Sequence, residues 1–243
     1  MFARHDLAWL SGAGWDQVLG SAAPEHALAV DRWRQAGWPL VVRRADAVQL
    51  PGQIALGLAL PPRPGGGRKV RVPCRVDVGQ VCRHAPPLPL EQVIAVPTAP
   101  LPPGQVLSEA ATALPHWQRA LTALAAQAAT QGIALRVYGS LALQHLTGQA
   151  YLTARSDIDL LAQPRSLAEL DAALALLQAH AASLPLDGEI DFPGGWAVAW
   201  KEWAAARASA PGSRVLVKTM DRVALVTTDA LLATLEKAPC VAT

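Results

Sequence analysis

A chain of 243 residues has room for one large or two small domains, and with 51% hydrophobic and 16% charged residues it carries enough apolar side chains for a filled core. A formal net charge of only +2, from basic residues scattered along the chain, gives no basic stripe with interleaved aromatics and argues against nucleic acid as a partner. No apolar run approaches the roughly eighteen residues of a membrane span, and the start, MFARHDLAWL, lacks the apolar region and cleavage site of a secretory signal. Cys74, Cys82 and Cys240 suit neither paired disulfides nor a metal cage, so a soluble protein of the reducing cytoplasm is expected, with no membrane association.

In chain order, Arg4 to Leu10 reads as a short polar and aromatic arm, with His5 beside Asp6. Pro24 to Ala36 predicts a helix stopped by Gly37. Pro39-Leu-Val-Val-Arg-Arg and Gln53 to Leu60 are β-type runs, and Lys69 to Val78 alternates, so a hairpin is expected across Pro61–Gly67. The run Gly65-Gly66-Gly67-Arg68-Lys69 could cradle phosphate, but it lacks the order of a P-loop and no helix follows, which favours a hairpin tip. The proline-dense stretch 84–104 predicts an extended connector, giving a β-rich N-terminal domain over 1–105 and a second domain over 106–243.

In the second domain, Ala110 to Gln131 is a predicted helix ended by Gly132. Ile133 to Tyr138 is a strand that turns at Gly139-Ser140 into an apolar helical segment, and a second β-type run carries Ser-Asp-Ile-Asp-Leu-Leu. Residues two apart on a strand share a face, so Asp157 and Asp159 point one way and Ile158 and Leu160 the other. Two ionised carboxylates so placed repel unless a cation lies between them, and hard oxygen ligands suit Mg²⁺. Glycine lets backbone approach a ligand, and amides at a following helix start favour phosphate oxygens. Either element alone is more often a plain turn or strand edge; strand, Gly-Ser, helix and acidic strand in succession read as a phosphate-and-metal site.

Farther on, Ser166 with Glu169 forms a capping box before a helix to Leu184, with leucines at 167, 170, 174 and 177 on one face. Leu186-Asp-Gly-Glu-Ile-Asp-Phe places Asp187, Glu189 and Asp191 on one strand face, an exposed edge or a metal-facing one. Trp200 and Trp203, three apart, suggest core packing more than base stacking. Arg214-Val-Leu-Val-Lys and Arg222-Val-Ala-Leu-Val predict a hairpin, with Lys218 reaching solvent or phosphate. His84, His116, His145 and His180 show no ligand spacing and are read as surface or packing residues.

Gly-Ser followed by Asp-x-Asp resembles the nucleotidyltransferase superfamily. The sixteen residues between Ser140 and Asp157 exceed the usual gap, so the loop from Gly148 to Arg155 is enlarged. The His-Asp-Leu-x-Trp-Leu start, Pro-Leu-Val-Val-Arg-Arg, Ser-Asp-Ile-Asp-Leu-Leu, Asp-Gly-Glu-Ile before Phe-Pro-Gly-Gly, and Ala-Val-Ala-Trp-Lys-Glu-Trp together resemble the malonate decarboxylase holo-acyl-carrier-protein synthases, which are phosphoribosyl-dephospho-CoA transferases. The resemblance implies an α+β fold: a small mixed nucleotidyltransferase-type sheet with flanking helices plus the N-terminal β-rich domain. It also implies transfer of the prosthetic group from triphosphoribosyl-dephospho-CoA to a serine of the acyl carrier subunit of malonate decarboxylase, releasing pyrophosphate.

On that resemblance Asp157, Asp159 and Glu189, with Asp191 as the alternative third acid, would hold two Mg²⁺ ions. Gly139, Ser140, Arg155 and Lys218 would hold phosphates. Two other readings share these residues: a nucleotidyltransferase that uses ATP on a small molecule or protein, and a catalytically silent scaffold that binds a carrier. The arginines of the N-terminal half (Arg43, Arg44, Arg63, Arg68, Arg71, Arg75, Arg83, with Lys69) suggest a docking surface for an acidic carrier, with Arg71 and Arg75 on one strand face.

Overall fold

A computed structural model describes residues 2–46, 49–62, 69–95, 113–153, 155–210 and 212–236. They form a mixed α and β structure of two compact units, Met1–Pro87 with Thr219–Arg222, and Leu88–Lys218 with Val223–Thr243. The Gly65–Arg68 tip, Arg63, residues 96–104, the His116 side chain and Cys240 lie outside the described residues.

The first unit contains β1 (Leu7–Leu10), α1 (Gly12–Ser21), a 3-10 turn (Pro24–His26), α2 (Ala27–Gln35), β2 (Leu40–Val42), β3 (Gln53–Ala59), β4 (Arg71–Asp77) and β5 (Val81–Ala85). Its five strands lie in the order β4-β3-β2-β1-β5 and every pair is antiparallel. The expected N-terminal arm is instead β1, an interior strand bonded on both sides, with Leu7, Ala8 and Leu10 all buried. Burial on both faces removes the alternation by which a strand is recognised. Helix α1 was hidden for a related reason. Its glycines depress helical propensity, yet Gly14 is where the helix sits against the chain: an added Cβ would stand 3.0 Å from Gln80 Cβ. Ser11 caps it, accepting from Gly14 N–H at 3.1 Å. The helix expected over Pro24–Ala36 begins as the 3-10 turn, and Gly37, at φ 66°, ends it.

The outer face of β4 carries Arg71 and Arg75 as expected, but Arg75 is not available as a bare cation. It donates to Asp46 through both Nε (3.0 Å) and Nη2 (2.7 Å), and Arg43 donates to the same carboxylate at 2.7 Å. The side-chain hydrogen bond from Arg75, chiefly, holds the Asp46 carboxyl down to about 2. Cys74, on the inner face, is buried, and burial pushes its thiol up to about 11.

The second unit contains β6 (Leu88–Pro89), α3 (Leu90–Ile94), α4 (Ala113–Thr130), β7 (Leu135–Tyr138), α5 (Gly139–Thr147), β8 (Ile158–Ala162), α6 (Leu167–His180), β9 (Leu186–Phe192), β10 (Trp196–Ala199), α7 (Trp200–Ser209), β11 (Arg214–Lys218), β12 (Val223–Thr227) and α8 (Thr228–Glu236). The compact unit opens at Leu88, where β6 and α3 take up part of the proline-dense stretch. Seven strands run in the order β12-β11-β10-β9-β8-β7-β6, antiparallel except for β8 and β9, which are parallel and joined through α6. A parallel pair needs such a crossover.

One face of this sheet (Leu135, Val137, Ile158, Leu160, Ile190, Val198, Val215) packs with Leu124, Leu170, Leu177, Trp203 and Leu231 from the helices in a single apolar core. Trp200 and Trp203 are buried, Trp203 with its ring 4.8 Å from that of Phe192, so both pack as expected. The cap of α6 forms at Ser166, which accepts from Glu169 N–H at 3.2 Å, while Glu169 reaches back to Arg165 N–H at 2.8 Å. Leu167 departs from the predicted stripe: it is 47% exposed, in the first turn, ahead of the core contact.

The Arg43–Asp46–Arg75 cluster gives the first prediction. A carboxyl whose folded pKa is lowered stabilises the fold above the usual carboxylate range, and that stabilisation is lost as pH falls toward about 2. The thermal midpoint of the wild type should therefore drop more steeply between about pH 4 and pH 2 than that of Asp46→Asn. Parallel curves for the two proteins would remove the cluster as a contributor.

Candidate active site

The candidate site residues all lie in the second unit, and β-sheet register decides which of them meet. Tyr138 pairs with Asp159 across β7 and β8, and Asp159 pairs with Asp187 across the parallel β8 and β9. Paired residues share a face, so Tyr138, Asp159 and Asp187 stand side by side on the face opposite the helices. Asp157 precedes β8 rather than lying within it; it is exposed, and Ile158 and Leu160 are buried beneath.

Two glycines make this arrangement possible. Gly139 has φ 68°, and a Cβ built on it would overlap the carboxyl of Asp159, whose Cγ lies 2.9 Å away. The Gly-Ser turn and the second aspartate are therefore in direct contact across eighteen or so residues of intervening chain, distant in sequence and adjacent in space. Gly188, between Asp187 and Glu189, has φ 129°, and a Cβ there would run into the backbone of Leu160, its nitrogen 2.6 Å away. Any other residue would push β9 off β8 and break the Asp159–Asp187 pairing. Ser140 follows in the first turn of α5 and is buried, and Arg155, in the loop before Asp157, is exposed.

The enlarged loop from Gly148 is tied down by a residue that the sequence reading missed. Gln144, buried in α5, accepts from Tyr151 N–H at 3.1 Å and from Leu152 N–H at 2.9 Å through one side-chain oxygen. Tyr151 and Leu152 are themselves buried, and burial raises the Tyr151 hydroxyl pKa above its ordinary value. The available signal was an amide inside an otherwise apolar helical run.

Glu189 pairs in register with Leu161, two residues along from the Asp159–Asp187 level, and is 6% exposed. Its Oε1 accepts from Lys218 Nζ at 3.2 Å. Lys218 lies on β11 and Glu189 on β9, so the bridge crosses β10, where Ala197 pairs with Lys218 and Ala199 with Glu189. Two alanines leave room for a lysine to pass over the strand. Asp191 lies beyond, at the far end of β9, and accepts from Gln163 Nε2 at 3.0 Å. Asp187 has Lys201 Nζ at 3.8 Å from Oδ1. Among the described residues no group of three or more His, Cys, Asp or Glu side chains converges closely enough to hold a metal ion.

The geometry thus joins Gly139 to Asp159 and Asp159 to Asp187, and Glu189 to Lys218, while Asp191 stands apart. Comparison with known sequences gives this arrangement its context. The model for the phosphoribosyl-dephospho-CoA transferase MdcG N-terminal domain matches residues 3–87, and that for the MdcG C-terminal domain matches residues 105–229. The chain belongs to the phosphoribosyl-dephospho-CoA transferase family. A phosphoribosyl-dephospho-CoA transferase of Xanthomonas campestris pv. campestris is 37% identical over 233 residues, 95% of this chain and 97% of the relative. Those of Bradyrhizobium diazoefficiens (37% over 228 residues, 92% and 89%) and Pseudomonas putida (30% over 239 residues, 97% of both) are similar to it as well. No solved structure matches the chain. The protein is therefore a transferase, and Gly139, Asp159, Asp187, Glu189 and Lys218 all fall within the stretch matched by the family's C-terminal domain.

The packing of the transferase at Gly139 is directly testable. Gly139→Ala combines a left-handed backbone with an overlap against Asp159, and it should destabilise the protein by roughly 1–3 kcal/mol. Denaturant titration measures this; an unchanged midpoint would show that the Asp159 carboxyl does not occupy that space.

Proposed function

We propose that this transferase moves the phosphoribosyl-dephospho-CoA group from triphosphoribosyl-dephospho-CoA to a serine of the acyl carrier subunit of malonate decarboxylase and releases pyrophosphate. The serine Oγ forms a bond to the α-phosphorus, the bond from that phosphorus to the pyrophosphate oxygen breaks, and the hydroxyl proton passes to solvent. The observation that carries the reading is the Asp159 carboxyl packed on Gly139 with Asp187 in register beside it. A glycine turn suited to phosphate and a pair of acids suited to a cation are there a single surface.

Asp157, Asp159 and Asp187 carry the oxygen donors that Mg²⁺ prefers; they do not converge into a closed three-acid site, so an ion held there would complete its shell from substrate phosphates and water, as Mg²⁺ commonly does. Mg²⁺ held there, as two ions on the family pattern, would set positive charge against the triphosphate and make the attacking hydroxyl more acidic. Glu189, expected from sequence to be the third acid, is buried under Lys218 and one register step away; Asp187, level with Asp159, takes that role in our reading. The amide groups at the start of α5, from Gly139 and Ser140, offer donors to the terminal phosphates. Lys218 is 41% exposed although it pairs with Glu189, so its ammonium is both fixed by a buried carboxylate and open to an anionic leaving group. Arg155, exposed beside Asp157, offers a second cation for the same charge.

The assay is the mass of apo carrier after incubation with the donor and Mg²⁺. Asp159→Asn and Asp157→Asn should each lower turnover by about a thousandfold or more, with the thermal midpoint held. Asp187→Asn should be nearly as severe, whereas Glu189→Gln should act more mildly on turnover and more strongly on stability, because it leaves Lys218 facing a neutral group. A severe Glu189→Gln with a mild Asp187→Asn would return the third-acid role to Glu189. Unmodified carrier with the wild type, alongside transfer from ATP to another acceptor, would replace the proposed donor by a simple nucleotide.

A further inference from the structure

The second unit holds a cleft of about 570 Å³ at the end of β8 and β9 opposite the Asp159–Asp187 pair, a volume typical of ligand sites. It opens at the carboxyl ends of β8 and β9, the one parallel pair of the sheet. Its polar lining consists of Arg136, Gln163, Arg165, Glu169 and Asp191. Two guanidinium groups and two carboxylates leave this lining formally neutral, so it has no net preference for a phosphate. Asp191 accepts from Gln163 and Glu169 from Arg165 N–H, so the lining carries both donors and acceptors. Between them lie Pro164, Phe192 and Pro193, and the backbone of Gly194 and Gly195. A neutral lining with paired donors and acceptors on an apolar floor suits a chain of amides separated by methylene groups.

We propose that this cleft binds an extended, amide-bearing arm of the donor, the pantetheine portion of dephospho-CoA. The inference rests on the donor proposed above and deepens it. Gln163 lies four residues along β8 from Asp159, about 13 Å at strand rise. Leu161, between them on the same face, is 4% exposed, so the acids and the cleft do not share one open surface at that point. A donor whose arm extends more than about 13 Å from the reacting phosphate can reach both, because an extended chain covers such a span with a handful of linked units. The cleft would then select for the arm while the acids act at the other end.

The experiment compares binding of 3′-dephospho-CoA and of ADP by calorimetry in the whole protein, with Ala134→Trp, which fills the cleft from an exposed position in its lining, and Gln163→Ala. Each variant should bind 3′-dephospho-CoA about tenfold more weakly, with ADP binding and the thermal midpoint unchanged. Equal weakening of both ligands, or of neither, overturns the proposal. The outcome is independent of transfer. A chain that never modifies a carrier but shows the selective loss keeps the cleft and forfeits the reaction, and one that modifies the carrier without the loss does the reverse.

Discussion

The second unit depends on a contact between a residue with no side chain and one whose side chain needs its space. The carboxyl of Asp159 rests where a Cβ of residue 139 would be, which fixes the turn after β7 to the face of β8. From that contact the rest follows by register: β9 lies parallel beside β8 because Gly188 allows it, and Asp187 comes level with Asp159. The acidic face is therefore set by backbone geometry before any charge is considered. A cation that binds this face only in the folded chain would stabilise the fold in proportion to its concentration, so occupancy and protein stability should be coupled here.

Much of this was legible in the sequence because it is local. Strand β3, strand β4, the α6 cap and the β11–β12 hairpin each announce themselves through period, cap or turn chemistry within a dozen residues. The order of Gly-Ser and Asp-x-Asp was also legible, since each motif is short. What was not legible is register across a long connection. Asp187, Glu189 and Asp191 are equivalent by alternation, and only the pairing of β8 with β9 distinguishes them: one is level with Asp159, one is buried under a lysine, and one belongs to a cleft at the other end. Strand β1 was missed because an interior strand of a sheet loses its pattern, and α1 because a glycine needed for close packing looks like a helix breaker.

The first unit shows how a count of charges misleads. Its arginines suggest a cationic surface, yet Asp46 draws two of them into one hydrogen-bonded cluster. Charge-assisted bidentate bonds of that kind serve geometry, holding the segment after β2 against β4. Arg71 is exposed on the outer face of β4, and Arg83 lays its guanidinium carbon 3.5 Å from the centre of the Trp9 ring. A partner reads the arrangement that remains after such pairings.

The bridge from Lys218 to Glu189 passes above β10, and the two residues beneath it are alanines. Their smallness has an evolutionary consequence. Drift at Ala197 or Ala199 toward valine or leucine would keep the strand, its hydrophobic character and every charged residue of the site, and a reader comparing only the acids and the lysine would find nothing altered. Yet the lysine would be lifted off its carboxylate. The positions that guard this bridge most quietly are two whose side chains are a single methyl group.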